Sequence, residues 1–256
     1  MIPLRDRNPT ARPAIVTLLL IAVCAAVYFL IEPAGRVATL HQTTAGSQQQ
    51  ADAEFTYQYA AIPCEVVHDK PLTDRELTNG CQSHPTGTPV FPHKNVWLAL
   101  VVSMFLHASL LHIGGNMLFL WIFGNNVEDR MGHVGYLVFY LVAGLLATGA
   151  YIVVNSTSTV PVLGASGAIA AVMGAYLVFF PRAPVRTLIL FPPIILWPRV
   201  PAWALLLVWF VSQFFLSPGS GVAWVAHVTG FAIGALTAWV IGPGGARAPR
   251  SEPRGY

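Results

Sequence analysis

Apolar residues in this chain run in long blocks parted by short polar or prolyl breaks, and the length of those blocks constrains the fold more than any other feature. A bilayer core of about 30 Å takes about 20 apolar residues per helix. Blocks at 14–32, 111–126, 136–154, 164–180, 201–215 and 221–241 approach that length, which predicts an all-α membrane protein with a bundle of six transmembrane helices. Charge agrees: 10% of the 256 residues are charged and 55% hydrophobic, where soluble domains carry about 25% charged residues.

The first block follows Arg5, Arg7 and Arg12, as the core of a secretion signal would. Its apolar run outlasts the usual 7 to 15 residues and no small-x-small cleavage site closes it, so a retained first span is expected. Residues 96–123 are too long for one span and are interrupted by His107, His112 and Asn116. They divide into a membrane-embedded approach and the helix over 111–126.

Orientation follows from arginine and lysine in the short flanks. With a cytoplasmic tail at 1–13 and another at 243–256, the cytoplasmic pieces hold Arg5, Arg7, Arg12, Arg130, Arg182, Arg186, Arg199, Arg247, Arg250 and Arg254. The outer side then keeps Arg36, Lys70, Arg75 and Lys94, all within residues 33–95. The positive-inside rule favours this arrangement, in a bacterial plasma membrane on compositional grounds. Topology accounts for the arginines, and no nucleic acid partner is needed to explain the net charge of +3.

Residues 33–95 are polar and prolyl, an extracytoplasmic loop inserted after the first helix. Cys64 and Cys81 lie there, facing an oxidising compartment, where a loop-closing disulfide is the natural reading. With His68 and His84 they also make a two-thiol, two-imidazole inventory for zinc, at an unconvincing spacing, and unpaired cysteines are the third reading. The expectation is no metal and no cofactor. Cys24, inside the first span, reads as packing.

Polar groups at membrane depth are costly, so each is a functional hypothesis. Span interiors hold no Asp or Glu, because Glu32, Glu128 and Asp129 fall at span ends, and no His-Glu-x-x-His occurs. Aspartyl and zinc protease chemistry therefore lack their residues. What remains is Ser166 in Gly164-Ala-Ser166-Gly167, then His107, His112 and Asn116, then His227. A serine hydroxyl needs a base to become a nucleophile, and neutral imidazole suits that role. Ser166 opens one span from the outer side and His227 lies about six residues into another, so at about 1.5 Å per residue the two reach a similar depth.

Each residue also has a plain reading. Gly-Ala-Ser-Gly alone is first a small-residue packing surface, and His227 alone a hydrogen-bonded packing histidine. Gly230 and Gly234 continue the His227 helix as Gly-x-x-x-Gly, which lets it press against a neighbour, and Ser166 and His227 at one depth favour the catalytic reading. His112 and Asn116, four apart, share a helical face and can aim at one oxyanion or hydrogen-bond across helices. His107, five before His112, would face elsewhere on a continuous helix, which predicts a break between them.

In order and spacing, His107-x4-His112-x3-Asn116, Gly164-Ala-Ser166-Gly167 and Ala226-His227-x2-Gly230-x3-Gly234 resemble the rhomboid intramembrane serine proteases, over residues 96–242. The resemblance implies a Ser166–His227 dyad without a third carboxylate. It implies an oxyanion hole of His112, Asn116 and the Ser166 backbone N–H, and water reaching the dyad from the outer side. Glu128-Asp129-Arg130 resembles a family Glu-x-Arg element of structural role; an ordinary helix-end ion pair fits the same residues. The chain departs from some members in carrying Trp97-Leu98 where they have Trp-Arg, and Ala170 where they stack a tyrosine on the histidine.

The implied function is an endopeptidase acting on transmembrane segments of membrane proteins near the outer surface, with the lipid bilayer as its other partner. The alternatives are a non-catalytic rhomboid-like protein that binds membrane clients and a six-span transporter. The first would be expected to lose Ser166 or His227; the second would carry buried charge or an internal repeat, and neither is seen.

Overall fold

A computed structural model describes residues 1–6, 8–33, 45–84, 86–191, 194–216 and 222–242. The expected tail at 243–256, the residues at 217–221 and Arg7, Arg36, Arg247, Arg250 and Arg254 of the charge argument lie outside them. Strand β1 (Ile2–Asp6) leads into α1 (Ile15–Ala26), which ends in a π turn, Val27–Ile31. Three helices follow in the insertion: α2 (Ala45–Tyr59), α3 (Pro63–His68) and α4 (Asp74–Asn79). Then come α5 (Val96–Ser103), α6 (Leu110–Met131), α7 (His133–Val154) and α8 (Ser166–Phe179). Strands β2 (Pro184–Phe191), β3 (Ile194–Leu196) and β4 (Arg199–Pro201) precede α9 (Ala202–Ser212), its 3-10 extension Gln213–Phe215, and α10 (Trp224–Ile241).

By length and composition α7 and α10 are each able to cross a membrane; Ile15–Ile31, Ser166–Phe179 and Ala202–Phe215 are apolar but shorter. Helix α8 is buried on every side from Gly167 to Tyr176, as its small side chains allow. At 14 residues it is about 21 Å long, against about 33 Å for the 22 residues of α7. Helix α10 packs on it through glycine: a Cβ at Gly230 would collide with the Gly167 carbonyl, one at Gly234 with the Ala171 carbonyl, and one at Gly174 with the Phe231 carbonyl. Backbone thus meets backbone along the α8–α10 seam.

The break expected between His107 and His112 is present. Helix α5 stops at Ser103, residues 104–109 turn, and Ser109 restarts the chain as the cap of α6 by accepting from the His112 N–H at 3.2 Å. Glu32 holds this turn from the end of α1, its carboxylate accepting the His107 N–H at 3.0 and 3.1 Å.

An element absent from the all-α expectation is a small antiparallel sheet, with β1, β3 and β4 all paired to β2. Asp6, at the end of β1, ties the sheet to the bundle, accepting from the Asn126 amide at 2.6 Å and the Tyr176 hydroxyl at 2.9 Å.

The insertion is helical rather than loose where it is described. Thr73 and Glu76 form a capping box on α4, and buried Lys94 pairs with buried Glu65. Burial pushes the Glu65 carboxyl up and the Lys94 ammonium down, and their contact opposes both shifts. Cys64 and Cys81 are joined as a disulfide, with Cα atoms 5.8 Å apart. His68 Nδ1 lies 3.7 Å from each sulfur, but sulfurs bonded to each other have no thiolate to offer a metal. The insertion docks through its backbone. Ala61 bridges Val162, its N–H donates to Ser103 Oγ at 2.6 Å, and the Cys64 N–H donates to the Ser158 carbonyl at 3.0 Å.

Candidate active site

Ser166 is the first residue of α8, placed there by Gly164, whose φ of +120° is one that side-chain-bearing residues rarely adopt. The Gly164 N–H is held by the Ser103 carbonyl at 2.8 Å. Two residues before Gly164, Val162 makes an isolated bridge to Ala61, so the segment leading to Ser166 is anchored both to Ser103 and to the insertion.

His227 comes from the first turn of α10, across the glycine seam. Its Nε2 lies 2.8 Å from Ser166 Oγ and its Nδ1 2.8 Å from Gln213 Oε1. Trp209 lies along the ring, centroids 5.8 Å apart at 35°. Ser166 and His227 are both half-buried rather than sealed. Ala170, at the position where the resemblance places a tyrosine, is fully buried, and the aromatic beside His227 comes from α9 instead.

His112 and Asn116 face the same turn from α6. A Cβ built on Gly164 would lie 2.8 Å from His112 Nε2 and 3.8 Å from Asn116 Nδ2, so only glycine leaves that space open. Asn116 is 9% exposed and its Nδ2 has no hydrogen-bond partner. A buried amide donor without an acceptor is costly, and here it borders the space beside Gly164, two residues before Ser166. With the N-terminus of α8 beside it, this corner can receive a developing negative charge.

The other predicted residues lie apart. His107 is fully buried, edge-on to His112 with centroids 5.2 Å apart, and belongs to the turn that Glu32 holds. Gly167, Gly230 and Gly234 form the seam. Glu128 and Arg130 sit near the far end of α6, and the ion-pair reading for them gives way to two separate anchors. Glu128 accepts from the Val16 and Thr17 N–H groups and the Thr17 hydroxyl at 2.7–2.8 Å, capping α1, and contacts His133 at 2.6 Å. Arg130 reaches the Gly242 carbonyl at 3.3 Å and lies over the Phe179 ring. Residues i and i+2 point to different sides of a helix.

Sequence reasoning missed Gln213, Trp209 and Ser103. Gln213 had a signal: an amide within the apolar stretch 201–215, a polar group at membrane depth of the kind worth questioning.

A family model described as Rhomboid domain matches residues 94–244. Rhomboid protein 1, mitochondrial, of Saccharomyces cerevisiae is 33% identical over 155 residues, 56% of this chain and 42% of that protein. Rhomboid protease GlpG of Yersinia enterocolitica is 34% identical over 135 residues, 53% of this chain and 45% of that protein. Presenilin-associated rhomboid-like protein A, mitochondrial, of Danio rerio is 32% identical over 115 residues, 44% of this chain and 28% of that protein. The chain spans less than half the length of each of these relatives.

Proposed function

The chain belongs to the rhomboid family of membrane proteins, and on that premise we propose that it is an intramembrane serine endopeptidase with six membrane spans, cutting transmembrane segments near the outer surface. The observation that carries this reading is the 2.8 Å approach of His227 Nε2 to Ser166 Oγ. That is the distance at which an imidazole takes a hydroxyl proton. Ser166 attacks a backbone carbonyl of the substrate and passes its proton to His227. The His112 imidazole, the Asn116 side-chain amide and the backbone N–H groups at the α8 N-terminus face the oxygen that becomes negative, and His227 returns the proton to the leaving amine. Water then hydrolyses the ester, with His227 as base.

A substrate helix hides its carbonyls in internal hydrogen bonds, so segments that unwind easily are preferred. The orphaned Asn116 donor supports this reading, because a protein that only bound clients would have no use for it beside Gly164, two residues before Ser166. The test is cleavage of a reporter transmembrane substrate in liposomes by the parent, Ser166→Ala and His227→Ala. Cleavage by the parent and silence from both folded variants is the expected result. Equal cleavage by Ser166→Ala rejects the nucleophile, and an inactive parent that still captures substrates favours the client-binding alternative.

A further inference from the structure

His227 is held from two sides, and the nucleophile is only one of them. We propose that Gln213 is a positioning residue of the catalytic centre, whose side-chain oxygen fixes His227 in the tautomer that turns its Nε2 lone pair toward Ser166. This rests on the Ser166–His227 reading above. A neutral imidazole carries one proton, and the partner of one ring nitrogen decides which form the other takes. An amide side chain can offer a ring either its oxygen or its NH2. Here the NH2 is engaged within its own turn, donating to the Trp209 carbonyl at 3.1 Å and to Ser212 Oγ at 3.2 Å. The oxygen is left for His227 Nδ1 at 2.8 Å. An amide oxygen only accepts, so Nδ1 carries the hydrogen and Nε2 stays free to act as the base.

The placement is built rather than incidental. Gln213 is 5% exposed in a mostly apolar stretch, where an amide is costly unless every polar atom is engaged. Trp209 lies one turn before it, so α9 supplies the plate along the ring and its 3-10 extension the acceptor at the ring's edge. A neutral amide thus stands where a carboxylate stands in a three-residue serine centre, without a charge to bury among lipids. When His227 takes the serine proton, the Nδ1–H bond becomes a bond from a cation and strengthens.

The test compares the full-length parent in liposomes with Gln213→Leu and Gln213→Glu. Gln213→Leu should lower kcat about 10- to 100-fold with KM unchanged, the range for losing one hydrogen bond to a group that becomes charged. Gln213→Glu should restore turnover and move the acid limb of the pH–rate profile upward, because a carboxylate at Nδ1 favours imidazolium. Nitrogen-15 NMR of labelled histidine reads the tautomer without turnover; the parent should show Nδ1–H, and Gln213→Leu a mixture. Should Gln213→Leu fail to fold, Gln213→Met carries the same comparison. Parent-like turnover with Nδ1–H intact in Gln213→Leu overturns the proposal, as does a loss that Gln213→Glu leaves unrelieved. If Ser166→Ala cuts as well as the parent, the dyad itself has failed and the proposal falls with it, whatever the NMR shows.

Discussion

Asp6 shows how one residue ties a sheet to a helical bundle at a cost in charge. Its carboxylate takes hydrogens from Tyr176 and Asn126, yet burial outweighs both bonds and pushes its pKa from 3.8 up to about 6. A raised folded-state value means that the stabilising contribution is complete below the unfolded pKa and is lost as pH rises through the folded one. The thermal midpoint of the parent in detergent should therefore drop between about pH 4 and pH 6 relative to Asp6→Asn, which keeps an oxygen for both donors and has no charge to bury. Parallel midpoint curves for the two proteins would show that Asp6 ionises freely. At the same scale, Ser166, His227, His112 and Asn116 were legible in the sequence because polar side chains stand out among apolar ones. Gln213 was passed over because it is uncharged, flanked by Ser212 and two phenylalanines, and less familiar as chemistry than an imidazole.

Among the elements, the insertion around α3 and the segment before α8 share more than proximity. Ala61 bridges Val162 and the Cys64 N–H bonds to Ser158, so the insertion is stitched to the segment that leads to Ser166. The Cys64–Cys81 disulfide closes a loop of sequence separation 17, worth about 3 kcal/mol in the chain-entropy account. The double variant Cys64→Ser with Cys81→Ser should lose about that much stability, and kcat should fall with it as the segment leading to Ser166 slackens; reductant should do the same to the parent. Unchanged turnover in the destabilised variant would mean that the insertion does not steady the segment leading to Ser166.

Apolar blocks marked the helices because a long apolar run has few alternatives to a buried or membrane helix. The sheet was hidden, since β1 is five residues long with two charges and its partner β2 lies about 180 residues away. Pairing at that range leaves no local pattern. Of the two readings open for Glu128 and Arg130, the structural one fits their separate partners, Thr17 and Gly242, which no local pattern marks.

At the scale of the molecule, Ser166 and His227 belong to two helices that touch through their backbones, at Gly230 against Gly167 and Gly234 against Ala171. At those positions backbone lies against backbone, which leaves little room to absorb a change in tilt. A bilayer thicker or thinner than the protein prefers is accommodated by helix tilting and by deformation of the lipid. In this molecule the response should fall on the helices outside the seam and leave the seam rigid. Reconstitution in phosphatidylcholines of graded acyl length should therefore change KM as substrate entry shifts while kcat stays level; a kcat that follows acyl length would show that the seam bends. Membrane thickness would then act on this protein as a filter for substrates, with the rate of cutting insulated from the lipid around it.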